Sequence, residues 1–194
     1  MYSFLGNIAK FILKIFNRVE VHNLDKLPKD SGFIIACNHI SWVDIVGLGV
    51  ALLPKQIHFM AKKELFAKKW SKKFITSLNG FPVDRENPGP SSIKIPVKLL
   101  KEGKIVGIFP SGTRDGDAPL KRGAVTIANL AKVQIVPAAY VGPTSLKEIF
   151  TGKKMRVIIG EPMQISAKGK EALFEATDEL SKRINELEVQ IKSK

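Results

Sequence analysis

A chain of 194 residues, 44% of them hydrophobic, can bury one substantial core, and nothing in it reads as a linker between two domains. Its formal net charge of +13 implies an anionic partner: a phospholipid surface, a phosphorylated substrate or nucleic acid. The single cysteine, Cys37, excludes an internal disulfide framework, fits a reducing compartment, and sits in an apolar run where packing is its default role.

Basic and acidic residues balance from Ala167 to Lys194, so the whole excess of positive charge lies before that segment. Met1 to Arg18 contains no acidic residue. Tyr2, Phe4, Leu5, Ile8, Phe11, Ile12, Ile15 and Phe16 form one helical stripe opposite Asn7, Lys10, Lys14, Asn17 and Arg18. A spanning helix needs about 20 largely apolar residues, so this one is expected to lie in a membrane interface; the same pattern also suits a helix packed on a core. Basic residues within and after the apolar stretch, with no small-residue cleavage site, argue against a signal peptide.

A strand is expected at Arg18–His22, a turn at Pro28 and a buried strand at Gly32–Cys37. That strand runs into Asn38-His39-Ile40-Ser41-Trp42-Val43-Asp44, followed by a helix from Trp42 to Leu53 that Pro54 stops. If the chain turns after His39 and enters the helix, Asp44 folds back onto the imidazole and fixes its tautomer. His39 is then a candidate general base. The plainer account is a helix N-terminus capped by Ser41. A nucleophilic Ser41 lacks the Gly-x-Ser-x-Gly elbow of a serine hydrolase.

Gln56–Ala61 reads as a short strand in which His58 is structural. Lys62–Leu78 is a second basic amphipathic segment, breaking near Ala67, with Leu65, Phe66, Trp70, Phe74 and Leu78 at helical spacing among six lysines. It fits either a solvated lysine face over a core stripe or a second contact with anionic lipid. Gly80–Asp84 is a strand delivering Arg85 at its end, before a Pro/Gly/Ser-rich loop at Asn87–Ser92 and a helix to Lys101. The strand Lys104–Phe109 leads into Pro110-Ser111-Gly112-Thr113-Arg114, a turn whose glycine, hydroxyl and guanidinium suit a phosphate cradle. Thr113-Arg114 stands where a Walker loop needs Lys-Ser/Thr, so a nucleotide loop is rejected. A helix at Lys121–Ala131, strands at Gln134–Val141 and Met155–Gly160, and a closing helix at Lys170–Ile191 complete an α/β sandwich with a mixed, largely parallel sheet. No metal-ligand cluster is visible.

Four blocks in this order resemble the glycerolipid acyltransferases, most closely the bacterial enzymes that acylate lysophosphatidic acid. They are Asn38-His39 with Asp44; Phe81-Pro82-Val83-Asp84-Arg85; Phe109-Pro110-Ser111-Gly112-Thr113-Arg114; and Val136-Pro137-Ala138. The likeness runs from about Leu27 to Glu161, includes Lys121-Arg122-Gly123-Ala124, and departs at Ser111, where glutamate is usual.

The resemblance implies an acyltransferase domain, set at residues 19–194 behind the anchoring helix that the amphipathic stripe suggests at 1–18. It implies transfer of a fatty acyl group from an acyl-carrier-protein or coenzyme A thioester to the sn-2 hydroxyl of lysophosphatidic acid, forming phosphatidic acid on the cytoplasmic face of the cell membrane. His39 and Asp44 would be catalytic, and Arg85, Gly112, Thr113 and Arg114 would hold the substrate phosphate. Asn38, Ser111 and Lys121 are further candidates for substrate or oxyanion contacts. No cofactor or metal is expected. Nucleic acid is an unfavoured partner, since aromatic residues are not interleaved with basic ones as on a base-stacking surface.

Overall fold

The computed structural model describes residues 2–4, 7–8, 19–29, 31–84, 89–112 and 120–193. Within them the strands are β1 (Val19–His22), β2 (Ile34–Cys37), β3 (Ile57–Lys62), β4 (Gly80–Val83), β5 (Ile105–Ile108), β6 (Ile135–Val141) and β7 (Met155–Ile159). The α-helices are α1 (Val43–Ala51), α2 (Lys69–Ser77), α3 (Ser91–Lys101), α4 (Gly123–Ala131), α5 (Leu146–Phe150) and α6 (Gly169–Lys192).

All four residues of β2 are fully buried, as expected of a central strand in a sheet covered on both sides. The sheet order is β1-β7-β6-β2-β5-β3-β4. Neighbouring strands are parallel except for β6 and β7, so the edge formed by β7 and β1 runs against the other five. Alternation along β2 sorts the core into two layers. Phe33, Ile35 and Cys37 pack with Val43 and Leu48 of α1, whereas Ile34 and Ala36 pack with Leu100 of α3, Val125 of α4 and Leu180 and Ile184 of α6.

This topology makes the place for a site. From β2 the chain crosses by α1 to β3 towards one edge; from β5 it crosses by α4 to β6 towards the other, on the opposite face. The two connections diverge beyond the C-terminal ends of β2 and β5, where open parallel sheets bind ligands. His39 leaves β2 and Ser111-Gly112 leaves β5 at that end.

The expected strands are present within a residue or two of their bounds. Residues 62–78 split at Ala67 into a 3-10 turn at Lys63–Phe66 and the helix α2. The helix expected to Leu53 ends at Ala51, and α5 was not anticipated. Tyr2–Phe4 and Asn7–Ile8 are helical, and the Tyr2 hydroxyl accepts the Ile57 N–H at 3.2 Å. The rest of the helix expected at 1–18 lies outside the described residues. Among the described residues no helix is long and apolar enough to cross a membrane.

Asn38, one residue beyond β2, continues the pairing with β6 by side chain. Its Oδ1 accepts the Tyr140 N–H at 2.7 Å, and its Nδ2 donates to the Tyr140 carbonyl at 3.0 Å and to Glu188 of α6 at 3.2 Å. Asn38→Ala should lower the free energy of unfolding by about 1–3 kcal/mol, because both backbone groups of the buried Tyr140 lose their partner. Glu188→Gln, which keeps an acceptor, should cost less. Urea unfolding of the two variants checks the order.

Candidate active site

The core of the site is one carboxylate surrounded by donors. Asp44, in the first turn of α1, is fully buried. Its Oδ2 accepts the N–H groups of Ile40 (2.7 Å) and Ser41 (2.8 Å), and both its oxygens lie 3.0–3.1 Å from His39 Nδ1. The turn from Ile40 to Trp42 is short enough to aim these amides back at Asp44, and the positive end of α1 favours the charge there. An ionised carboxylate only accepts, so Nδ1 carries the proton and the neutral ring presents its lone pair at Nε2. Nε2 has no hydrogen bond among the described residues. A histidine held in this tautomer can take a proton from a bound hydroxyl and return it.

An aromatic column fixes the plane of that ring. His39 stacks on Phe109 with centroids 4.4 Å apart, and Phe109 lies 6.0 Å from Phe59 at an interplanar angle of 11°. Gly107 is the register partner of Phe59, and a Cβ there would stand 2.5 Å from the Phe59 ring. The absent side chain at Gly107 makes room for the base of the column.

The turn leaving β5 is closed by the Gly112 N–H donating to the Phe109 carbonyl at 3.0 Å, with Gly112 at φ +68°, a conformation glycine adopts at little cost. The Lys121 N–H donates to the Pro110 carbonyl at 2.8 Å and so brings Lys121 against the turn. The Lys121 ammonium comes within 3.3 Å of the position a Gly112 Cβ would occupy, which places a cation over this backbone. Arg122 is held separately, its guanidinium 4.2 Å above the ring of Phe174 on α6. Ser111 is buried beside the turn.

Of the residues singled out in the sequence, His39, Asp44, Ser111, Gly112 and Lys121 therefore lie at the C-terminal ends of β2 and β5 or against the turn that follows. Arg85, Thr113 and Arg114 lie outside the described residues; Asp84, immediately before Arg85, ion-pairs with Lys63 at 2.5 Å. Asn38 is directed to the α6 face, away from the α1 face that His39 joins, and its amide is engaged by Tyr140 and Glu188. Ser41 Oγ accepts the Val43 N–H at 3.0 Å and serves as a cap. The Cys37 thiol is pushed to a high pKa by burial and donates to Asn38. His58 lies at the far end of β3, its Nδ1–H donating to the Ile105 carbonyl at 3.3 Å and its pKa lowered by burial.

Sequence reasoning missed Phe59, Phe109 as a stacking partner, and Glu188. Phe109 sat in the third block, but the pairing of Phe59 with Gly107 and the approach of Glu188 are tertiary facts without local signal. Among the described residues no group of three or more histidine, cysteine or acidic side chains could hold a metal ion.

A family model described as Acyltransferase matches residues 18–141, which takes in His39, Asp44, Ser111, Gly112 and Lys121. The 1-acyl-sn-glycerol-3-phosphate acyltransferase of Bacillus subtilis is 58% identical over 193 residues, 97% of each chain. The protein of the same name from Streptococcus pneumoniae is 39% identical over 168 residues, 85% of this chain and 63% of that one. The crystal structure of the 1-acyl-sn-glycerophosphate acyltransferase of Thermotoga maritima superposes with a TM-score of 0.69 at 27% identity, covering 96% of this chain and 78% of the other. The chain belongs to the acyltransferase family.

Proposed function

We propose that the chain moves a fatty acyl group from a thioester of acyl-carrier protein or coenzyme A to the sn-2 hydroxyl of lysophosphatidic acid, yielding phosphatidic acid and the free thiol. The observation that carries this reading is the buried His39–Asp44 pair with Nε2 unpartnered among the described residues. It suits direct attack by an acceptor alcohol better than a serine nucleophile, because Ser41 Oγ caps α1. The names of the Bacillus and Streptococcus relatives support the choice of acceptor.

In the proposed reaction the acceptor hydroxyl donates to Nε2. As its oxygen bonds to the thioester carbonyl carbon, the proton passes to His39, and Asp44 stabilises the imidazolium that forms. The tetrahedral intermediate expels the thiolate, which recovers the proton from His39. Ser111, Lys121 and the backbone of the Gly112 turn are the candidates for stabilising the oxyanion. Arg85, Gly112, Thr113 and Arg114 hold the acceptor's phosphate, with Lys121 adding a cation over Gly112.

The enzyme works at the cytoplasmic face of the membrane, where its substrate and product reside, with residues 1–18 as a peripheral anchor. Phe4 and Ile8 are 68% and 42% exposed, which suits this role, although Tyr2 is turned onto the domain.

His39→Ala should cut kcat by roughly 10²- to 10⁴-fold with the fold retained, and Asp44→Asn should follow it closely. A thiol-release assay beside circular dichroism checks both, and wild-type kcat in folded His39→Ala would overturn the mechanism. Arg85→Ala and Arg114→Ala should mainly raise KM for lysophosphatidic acid, since a charge-assisted hydrogen bond to phosphate contributes about 1.5–3 kcal/mol. Steady-state kinetics with charged and uncharged acceptors test that. Serine at Phe11, Ile12 and Phe16 should weaken flotation with anionic vesicles and slow turnover of vesicle-borne acceptor, while monomeric acceptor is affected much less. Unchanged flotation at low and high salt would make this helix a packing element.

A further inference from the structure

We propose that α2, with the turn before it, is a second membrane contact, seated in the headgroup zone of an anionic bilayer by Leu65, Trp70 and Phe74. Lys68, Lys69, Lys72 and Lys73 supply the accompanying positive charge. The inference deepens the reading that the acceptor is a membrane lipid, and rests on it for its purpose.

An amphipathic helix ordinarily turns its apolar stripe to the core. In α2 no residue is buried, although Trp70 and Phe74 are one helical turn apart and share a face. That face points outward: Trp70 is 71% exposed, Phe74 49% and Leu65 49%. Ile75 makes the inward contact instead, its Cγ2 lying 2.4 Å from where a Cβ on Gly80 would stand. The four lysines are exposed, and no acidic residue occurs from Leu65 to Val83. Lys63 is excluded from the cationic set because it is paired with Asp84.

Charge decides the occupant. A second copy would bring lysines against lysines on a chain of net charge +13. An acidic protein would satisfy the lysines but not the outward tryptophan and phenylalanine. A bilayer offers anionic phosphates directly above an apolar layer, the pairing that this face presents. Position agrees, since the segment leaves the C-terminal end of β3, the end of the sheet at which His39 sits. Trp42 and Val46, on or just before the first turn of α1, are 43% and 38% exposed.

The chain has two tryptophans, so in full-length Trp42→Phe protein Trp70 is the only tryptophan and can be excited selectively over the two tyrosines. With phosphatidylcholine/phosphatidylglycerol vesicles its emission should shift to the blue and be quenched by brominated lipid, more by bromine near the headgroups than near the bilayer centre. Should that variant not fold, fluorine NMR of wild-type protein labelled with 5-fluorotryptophan reads the same contact. Trp70→Ser/Phe74→Ser should raise the lipid concentration for half-binding about tenfold or more, with turnover of monomeric acceptor unchanged. Replacing the four lysines by glutamine should flatten the dependence on phosphatidylglycerol. The proposal is overturned if Trp70 is silent on vesicles with which the protein floats. It is also overturned if Trp70 responds only to protein concentration or to acyl-carrier protein without lipid. Quenching of Trp70 without acylation of lysophosphatidic acid would leave the contact standing and remove the acceptor assignment instead.

Discussion

The Asp44 carboxylate is the point on which the site depends. A buried charge is costly unless its lone pairs are met, and here the Ile40 and Ser41 amides and the His39 ring meet them. One arrangement therefore closes the turn, starts α1 and sets the histidine tautomer. Chemistry and local folding share the same hydrogen bonds, so a change to the carboxylate alters both. The aromatic column from His39 through Phe109 to Phe59 then carries the orientation into the sheet, where Gly107 admits it.

Much of this was legible in the sequence because the signals were local. The apolar run to Cys37, the spacing of His39 and Asp44, and the glycine at 112 each describe a few consecutive residues whose physics closes among themselves. α5 also carried such a signal, the Ser-x-x-Glu spacing from Ser145 to Glu148: Ser145 accepts the Glu148 N–H, and Glu148 reaches back to the N–H of Thr144, one residue before the cap. The antiparallel turn of β7 and the contribution of Glu188 were of another kind. They depend on which strand a connection returns to and on which helix covers it, and nothing at residues 155 or 188 encodes either.

The behaviour of Lys62–Leu78 illustrates the limit of periodicity. Apolar residues at helical spacing identify a stripe but not what it faces. In α6 such a stripe buries Leu180, Ile184 and Ile191, whereas in α2 it leaves Trp70 and Phe74 in the open. The difference lies in surroundings: α6 lies across the inner strands β6 and β7, while α2 stands beside the edge strand β4.

The tie from Asn38 to Tyr140 and Glu188 spans most of the chain, the partners being 102 and 150 positions apart in sequence. During synthesis the residues around His39 emerge early, but the strand that pairs with Asn38 follows a hundred residues later and the helix that carries Glu188 later still. Loop closure over such distances is slow relative to local turns. The nascent chain thus holds the local turn of His39 onto Asp44 well before the tie that fastens the end of β2 to β6 and α6, and that tie closes only once Glu188 has been made.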